Sequence, residues 1–233
     1  MNRYVTFRFD DGFFEGARKA VAILYPNMAS FFVVINRILG TAQLNHIELL
    51  KGHNFGSVEK WTNISALGHD VQPHSLTHPN FANLNKYQQG AEVSGSIDFI
   101  RNIHSGPYIF GFPFNIIPQA LDLESFGLSA AGFVSETSDD SIIFNRLDDK
   151  EFDLFRLRSW AVRERHLSKI TDQIEQLPDE SWTVLGLHSL DGEGWEPWTS
   201  GGFSTLVAVI RASGLQIVTA RDMVYSLTRN KQI

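Results

Sequence analysis

The chain has 233 residues, a formal net charge of −6, eight histidines and no cysteine. Its length suits one α/β domain, expected to span 1–233. The lack of a Lys/Arg cluster excludes a nucleic-acid partner, and the lack of cysteine excludes disulfides, thiolate ligands and cysteine nucleophiles. No apolar run approaches the roughly 20 residues of a transmembrane span. The first predicted strand leaves no room for an export signal, so a cytoplasmic protein is expected.

Strand patterns alternate with helix patterns along the whole chain. The predicted strands are Tyr4–Phe9, Ser30–Val34, Asp70–Pro73, Tyr108–Phe112, Ala130–Val134, Leu154–Leu157, Thr183–Leu187 and Leu215–Thr219. The predicted helices are Glu15–Leu24, Ser57–Leu67, Lys86–Ile103, Ile117–Phe126, Leu167–Leu177, Phe203–Ser213 and Ala220–Thr228. Ser135–Asp153, which is rich in acidic residues, is predicted to be a solvated loop. Apolar strands alternating with amphipathic helices indicate a parallel sheet covered by helices, and seven or eight such units predict a closed or nearly closed (β/α) barrel.

Two polar segments follow predicted strands. The apolar first strand ends at Phe9 and is followed by Asp10-Asp11-Gly12, while the third is followed by His74-Ser75-Leu76-Thr77-His78. The spacing of four between the histidines predicts one helical turn that points both imidazoles the same way. One carboxylate and two imidazoles suit a divalent transition metal such as zinc, and the second carboxylate is then free to act as a base.

A third histidine follows another predicted strand. His188 ends Val184-Leu185-Gly186-Leu187-His188, just before a glycine-containing loop. In a parallel barrel the chemistry lies at the C-terminal ends of the strands. We therefore expect His188 to meet the Asp and His segments at one site.

The order of these motifs resembles the polysaccharide deacetylase family, which is also called carbohydrate esterase family four or the nodulation-deacetylase homology domain. The resemblance extends from Thr6 to about Ser226. It implies a distorted (β/α) barrel that removes acyl groups, mostly acetyl, from amino-sugar polymers with the help of a metal ion. Zinc is the first choice of metal, with cobalt and nickel as alternatives.

The resemblance also implies a role for each motif residue. Asp10 corresponds to the catalytic base and Asp11 to the carboxylate that binds the metal. His74 and His78 correspond to the remaining metal ligands. His188 corresponds to the general acid.

Two motifs of the family are incomplete. Where the family has an arginine that orients the catalytic Asp, this chain has Gly111, and where it has an Asp-Trp pair, this chain has Ser159-Trp160. Side chains two apart on a strand share a face, so we hypothesise that Arg8 replaces the missing guanidinium beside Asp10. Rival donors, also two apart, are Arg156 and Arg158.

Aromatic residues near the expected site suit contacts with sugar rings, although such residues also often pack in a core. The predicted substrate-binding residues are Phe112, Pro113, Phe114, Trp160, Trp195 and Trp198. The expected substrate is a small molecule or an oligosaccharide, and the sequence leaves a homo-oligomer open.

Three functions remain open from the sequence. The first is a deacylase acting on an N-acylated carbohydrate. Another is the same hydrolytic chemistry on a small non-sugar amide, a cyclic amide or a formyl group. The last is a relative that binds the metal and a ligand without catalysis.

Overall fold

The computed structural model describes residues 2–41, 52–136 and 142–230. Its strands are β1 (Arg3–Phe9), β2 (Ser30–Val33), β3 (Asp70–Pro73), β4 (Ile109–Gly111), β5 (Ala130–Glu136), β6 (Asn145–Arg146), β7 (Leu157–Ala161), β8 (Ser181–Leu187) and β9 (Gln216–Ile217). Its α-helices are α1 (Phe14–Leu24), α2 (Ile35–Ile38), α3 (Val58–Ala66), α4 (Lys86–Ile100), α5 (Leu167–Ile174), α6 (Ser200–Ala212) and α7 (Ala220–Asn230).

Seven parallel strands form a nearly closed barrel in the order β3-β2-β1-β8-β7-β5-β4. Two short strands lie off this path: β6 pairs antiparallel with β8, and β9 pairs parallel with β1. The helices cover the barrel, and α6 packs against both α1 and α5. The distorted (β/α) barrel expected from the sequence is therefore confirmed.

The edge strands β3 and β4 are not joined by backbone hydrogen bonds in the described residues. Side chains bridge the gap between them instead. The amide of Gln72 donates to the Pro107 carbonyl at 3.0 Å and accepts from the Ile109 N–H at 2.9 Å. Farther along, His74 Nδ1 lies 2.8 Å from the Gly111 carbonyl. These contacts satisfy backbone groups that would otherwise be unpaired at an open edge.

Most helix predictions are confirmed to within a few residues. Ser57, the first residue of the predicted Ser57–Leu67 helix, caps α3, with its side chain accepting from the Lys60 N–H. The prediction over Ile117–Phe126 is wrong, because only a 3₁₀ turn at Glu124–Phe126 forms there. Asp122 accepts hydrogen bonds from both the N–H and the hydroxyl of Ser125, and such local bonds compete with a helix.

The strand predicted at Leu154–Leu157 is also misplaced. Asp153 caps a 3₁₀ turn at Leu154–Arg156, and the strand begins at Leu157. Two short elements, α2 with four residues and β6 with two, were not predicted from the sequence. In the predicted loop Ser135–Asp153, the first two residues belong to β5 and Asn145–Arg146 forms β6, while 137–141 lie outside the described residues.

None of the helices in the described ranges is both long enough and apolar enough to cross a membrane.

Asp70 is a fully buried carboxylate at the start of β3. One of its oxygens accepts from Gln72 at 2.8 Å, and the other accepts from the N–H of Arg221 in the first turn of α7 at 3.1 Å. Burial raises the pKa of Asp70 to about 6, against the opposing effects of Arg221 and of these hydrogen bonds. The folded protein therefore binds a proton at Asp70 more tightly than the unfolded chain does.

We expect Asp70 to make the free energy of unfolding depend on pH. Because its folded pKa is raised, its stabilising contribution is complete below the unfolded value and is lost as the pH rises through about 6. Between about pH 4 and pH 7, wild type should lose up to about 3 kcal/mol more than Asp70→Asn in urea unfolding. Parallel curves for the two proteins would contradict this assignment.

Candidate active site

The pairing of β1 with β8 brings the Asp pair and His188 to one edge of the barrel. The two strands run parallel in unbroken register from Arg3–Ser181 to Phe9–Leu187. The ladder continues one step further, where the Asp10 N–H donates to the Leu187 carbonyl at 3.0 Å. Asp10 and His188 thus leave adjacent strands at the same level.

The His74–His78 segment is an irregular turn, so the prediction of a helical turn is wrong. Ser75 and His78 have φ angles of 71° and 62°, which no right-handed helix contains. The Ser75 hydroxyl accepts from the His78 N–H at 2.9 Å. The turn nevertheless brings the two imidazole centroids to 5.1 Å, so the two rings share a site by a different backbone route.

Three ligand atoms from Asp11, His74 and His78 lie within 4.8 Å of one another. Asp11 Oδ1 is 3.0 Å from His78 Nε2 and 3.8 Å from His74 Nε2. Burial lowers the pKa of His74 well below its usual value, so its ring is neutral. The Gly111 carbonyl can only accept, so His74 Nδ1 carries the proton and Nε2 presents a lone pair.

This lone pair therefore faces a carboxylate oxygen, which is unfavourable unless a cation lies between them. A carboxylate and two imidazole nitrogens, one of them oriented by a carbonyl, form a donor set that fits a divalent metal.

Arg37 holds Asp11, and the sequence analysis missed it. Its Nη1 lies 3.0 Å from Asp11 Oδ1 and donates to the Asp11 carbonyl at 3.3 Å. Burial alone would raise the pKa of Asp11, but the neighbouring His78 and the charge of Arg37 hold it well below its usual value. Asp11 is therefore ionised. Only the position of Arg37 after a strand end could have indicated this role.

Arg8 pairs with Asp10 in the barrel interior. Arg8 Nη2 lies 2.5 Å from Asp10 Oδ2, and Nη1 donates to the Ser159 hydroxyl at 3.2 Å. The guanidinium is 2% exposed and lies over the Phe133 ring, 4.5 Å from its centroid. Burial raises the pKa of Asp10, and the charge of Arg8 opposes that shift. Asp10 Oδ1 is buried and has no hydrogen-bond partner among the described residues.

The rival arginines do not take this place. Arg156 and Arg158 are exposed, on a 3₁₀ turn and on β7 respectively. At Gly111, an added Cβ would lie 2.8 Å from the Phe32 ring and 3.2 Å from His74 Nδ1. A side chain at 111 would thus clash with the Phe32 ring and crowd the His74 ring, whereas Arg8 reaches Asp10 from inside the barrel.

A cavity of about 490 Å³ opens over these groups. Its lining residues are Asp10, Asp11, Phe13, Arg37, His74, His78, Phe112, Phe114, Asn115, His188 and Trp195. Its volume lies in the range typical of small-molecule sites. The catalytic and metal residues expected from the sequence thus lie together, with Arg8 directly behind Asp10.

The predicted aromatic contacts divide into two groups. Phe114 and Trp195 are 60% and 56% exposed at the cavity, and Phe112 lines it while its ring is otherwise buried. Trp160 and Trp198 are buried in the core, and the Trp198 indole donates to the Val162 carbonyl. Because protein covers these two rings, the expectation that they contact substrate is corrected.

Pro113 is likewise buried and is not part of the cavity lining. Of the histidines without a motif, His69 accepts from the Ala29 N–H and His104 contacts the Val71 carbonyl, so both are packing residues. His46 lies outside the described residues.

This fold is shared with solved structures of family 4 carbohydrate esterases. One, from Streptomyces lividans in complex with acetate, is 17% identical with a TM-score of 0.58, covering 93% of this chain and 92% of that one. The peptidoglycan deacetylase PdaC of Bacillus subtilis is 16% identical with a TM-score of 0.58, covering 99% and 94%. Bacillus subtilis PdaA, another family 4 carbohydrate esterase, is 13% identical with a TM-score of 0.60, covering 99% and 82%.

The sequence model of the polysaccharide deacetylase family matches residues 2–131, more than half of the chain. The chain therefore belongs to the polysaccharide deacetylase family, as its motifs indicated. Members of this family are in general metal-dependent. No curated protein matches the chain significantly.

We expect Gly111→Ala to weaken metal binding by about tenfold or more, because the added methyl group clashes with Phe32 and crowds the His74 ring against its orienting carbonyl. The measurement is a titration of the purified protein with zinc against a chromophoric chelator. Gly201→Ala is the matched control, since the nearest atom to its added Cβ is 3.9 Å away. Equal zinc affinity for Gly111→Ala and wild type would contradict the orienting role.

Proposed function

We propose that the protein is a metal-dependent hydrolase that removes an acyl group, in the first place N-acetyl, from a carbohydrate. The observation that carries this proposal is the convergence of Asp11, His74 and His78 beside the buried carboxylate of Asp10 and the imidazole of His188 in one cavity. Membership of the polysaccharide deacetylase family supports the reaction and the class of substrate.

Asp11, His74 and His78 would hold the metal, for which zinc is the first choice and cobalt or nickel the alternatives. When bound, a divalent ion polarises the acyl carbonyl and makes water more acidic. The protein's part is to keep His74 neutral and Asp11 ionised, which burial and the contacts of Asp11 with His78 and Arg37 achieve.

Asp10 takes the proton of the attacking water. Its Oδ1 is a buried acceptor with no partner among the described residues, while Arg8 holds Oδ2. This division leaves one oxygen free for water and fixes the direction of the carboxylate. His188, on the adjacent strand end, gives a proton to the departing nitrogen, which would otherwise be a poor leaving group.

The exposed rings of Phe114 and Trp195 would contact the sugar. Both line the cavity over the reacting groups and retain more than half of their surface for a ligand. Phe114 also packs edge-on against His78, with ring centroids 4.8 Å apart, so a sugar on Phe114 would lie beside the metal ligands.

The direct test is acetate release from N-acetylglucosamine oligomers and peptidoglycan fragments. We expect release that a chelator abolishes and that zinc restores. Asp10→Asn should lower kcat by about 10²–10⁴-fold, because it removes the base. Asp98→Asn on the exposed face of α4 is the matched control and should be unaffected. Release that survives both chelation and Asp10→Asn would refute the proposal.

We expect Arg8→Ala to lower kcat by about 10- to 100-fold, because Asp10 loses the group that directs it. Arg8→Lys should recover part of the loss, and thermal unfolding identifies variants that fail to fold. Arg156→Ala removes an exposed arginine and serves as the control. If Arg8→Ala turned over at the wild-type rate while Asp10→Ala did not, Arg8 would not be the replacement for the missing arginine.

A relative that binds a ligand without catalysis is the second candidate. Gly111 and Ser159 replace two family residues, and no carboxylate hydrogen-bonds to His188 in the described part of the chain. Metal binding without acyl release would favour this candidate. Release from small amides, cyclic amides or formyl compounds, but not from sugars, would instead change the substrate class.

The cytoplasmic location, the single domain and a homo-oligomer stay predictions.

A further inference from the structure

The turn that carries both metal-site histidines is held from two sides by elements outside the family's motifs. On one side, the first N–H groups of α2 reach its carbonyls: Ile35 donates to Ser75 at 3.2 Å, and Asn36 donates to Leu76 at 2.9 Å. These contacts satisfy the carbonyls at the centre of the turn and leave its N–H groups facing α4.

Glu92 of α4 takes the N–H groups of this turn. Its Oε2 accepts from the backbone N–H groups of Leu76 and Thr77, both at 2.9 Å, and its Oε1 accepts from the Thr77 hydroxyl at 2.6 Å. One carboxylate therefore binds three donors in two successive residues. Bonds to an ionised acceptor of this kind are stronger than those between neutral groups.

The turn needs such support because its backbone is strained. Ser75 and His78 both have positive φ angles, a conformation that costs a non-glycine residue of the order of 1 kcal/mol or more. The donors that Glu92 binds belong to the residues between these two. Releasing them would allow the turn to relax and would move His78 away from Asp11.

We infer that Glu92 is a positioning residue for the metal site, which holds the His74–His78 turn in the conformation that brings His78 Nε2 to Asp11 Oδ1. The inference rests on the metal site of the proposed function and not on the substrate. Glu92 is not a lining residue of the cavity, and its hydrogen bonds in the described part of the chain go to Leu76 and Thr77. Its effect therefore passes through the backbone of the turn.

The test is zinc affinity, measured by competition with a chromophoric chelator. Glu92→Ala should weaken binding by about 10- to 100-fold, the usual cost of losing a group that orients ligands. Glu92→Gln should stay close to wild type, because its amide oxygen can accept both N–H groups and its NH₂ can donate to the Thr77 hydroxyl. Asp98→Ala removes a carboxylate from the same helix, away from the turn, and should bind zinc as wild type does.

Thermal unfolding without metal separates this role from a merely structural one. A structural role would lower the melting temperature of Glu92→Ala and leave its zinc affinity unchanged, which would overturn the inference. Zinc bound by wild type without acyl release would refute the proposed function and leave the role of Glu92 standing. A wild type that binds no zinc would overturn both.

Discussion

The parallel ladder between β1 and β8 is the constraint on which the site depends. It runs through seven residue pairs without a bulge and extends by one further hydrogen bond at Asp10. The other barrel strands, which are three to seven residues long, flank this pair and run parallel to it. Because parallel strands end at the same rim, groups that are far apart in the chain meet there without any long loop having to fold over them.

The second constraint is charge. Two carboxylates are buried at one strand end, and each has its own arginine, Arg8 for Asp10 and Arg37 for Asp11. A buried charge without a partner is strongly unfavourable, so each arginine makes the burial of its own aspartate tolerable. The pairs are not equivalent. Asp10 lies against a guanidinium enclosed by aromatic rings, whereas Asp11 also has a histidine beside it. This difference separates a carboxylate that can accept a proton from one that stays ionised.

The barrel and the motif residues could be predicted from the sequence because polar residues occur in the chain where predicted strands end. Asp10 and His188 each follow an apolar run directly, and His74 follows the short predicted strand Asp70–Pro73; these segments can be identified without a structure. The roles of Arg37 and Glu92 could not be predicted from the sequence. Arg37 contacts Asp11, which is 26 positions away, and Glu92 binds backbone N–H groups, which carry no sequence signal. The spacing of His74 and His78 led to the wrong prediction of a helical turn. A period of four fits a helix, but here the Ser75 hydroxyl accepts from the His78 N–H and stabilises an irregular turn. Burial of Trp160 and Trp198 is likewise a tertiary property that residue type alone does not reveal.

His74 belongs to two structures at once. Its Nε2 faces Asp11, while its Nδ1 bridges the edge strands β3 and β4, where only side chains join them. Rotation of the ring toward a larger or smaller ion would break its contact with the Gly111 carbonyl. Adjustment to ionic radius would therefore fall to the side chain of His78 and to the carboxylate of Asp11. Selection among cations would thus depend on how far the side chains of His78 and Asp11 can adjust their positions relative to the His74 ring.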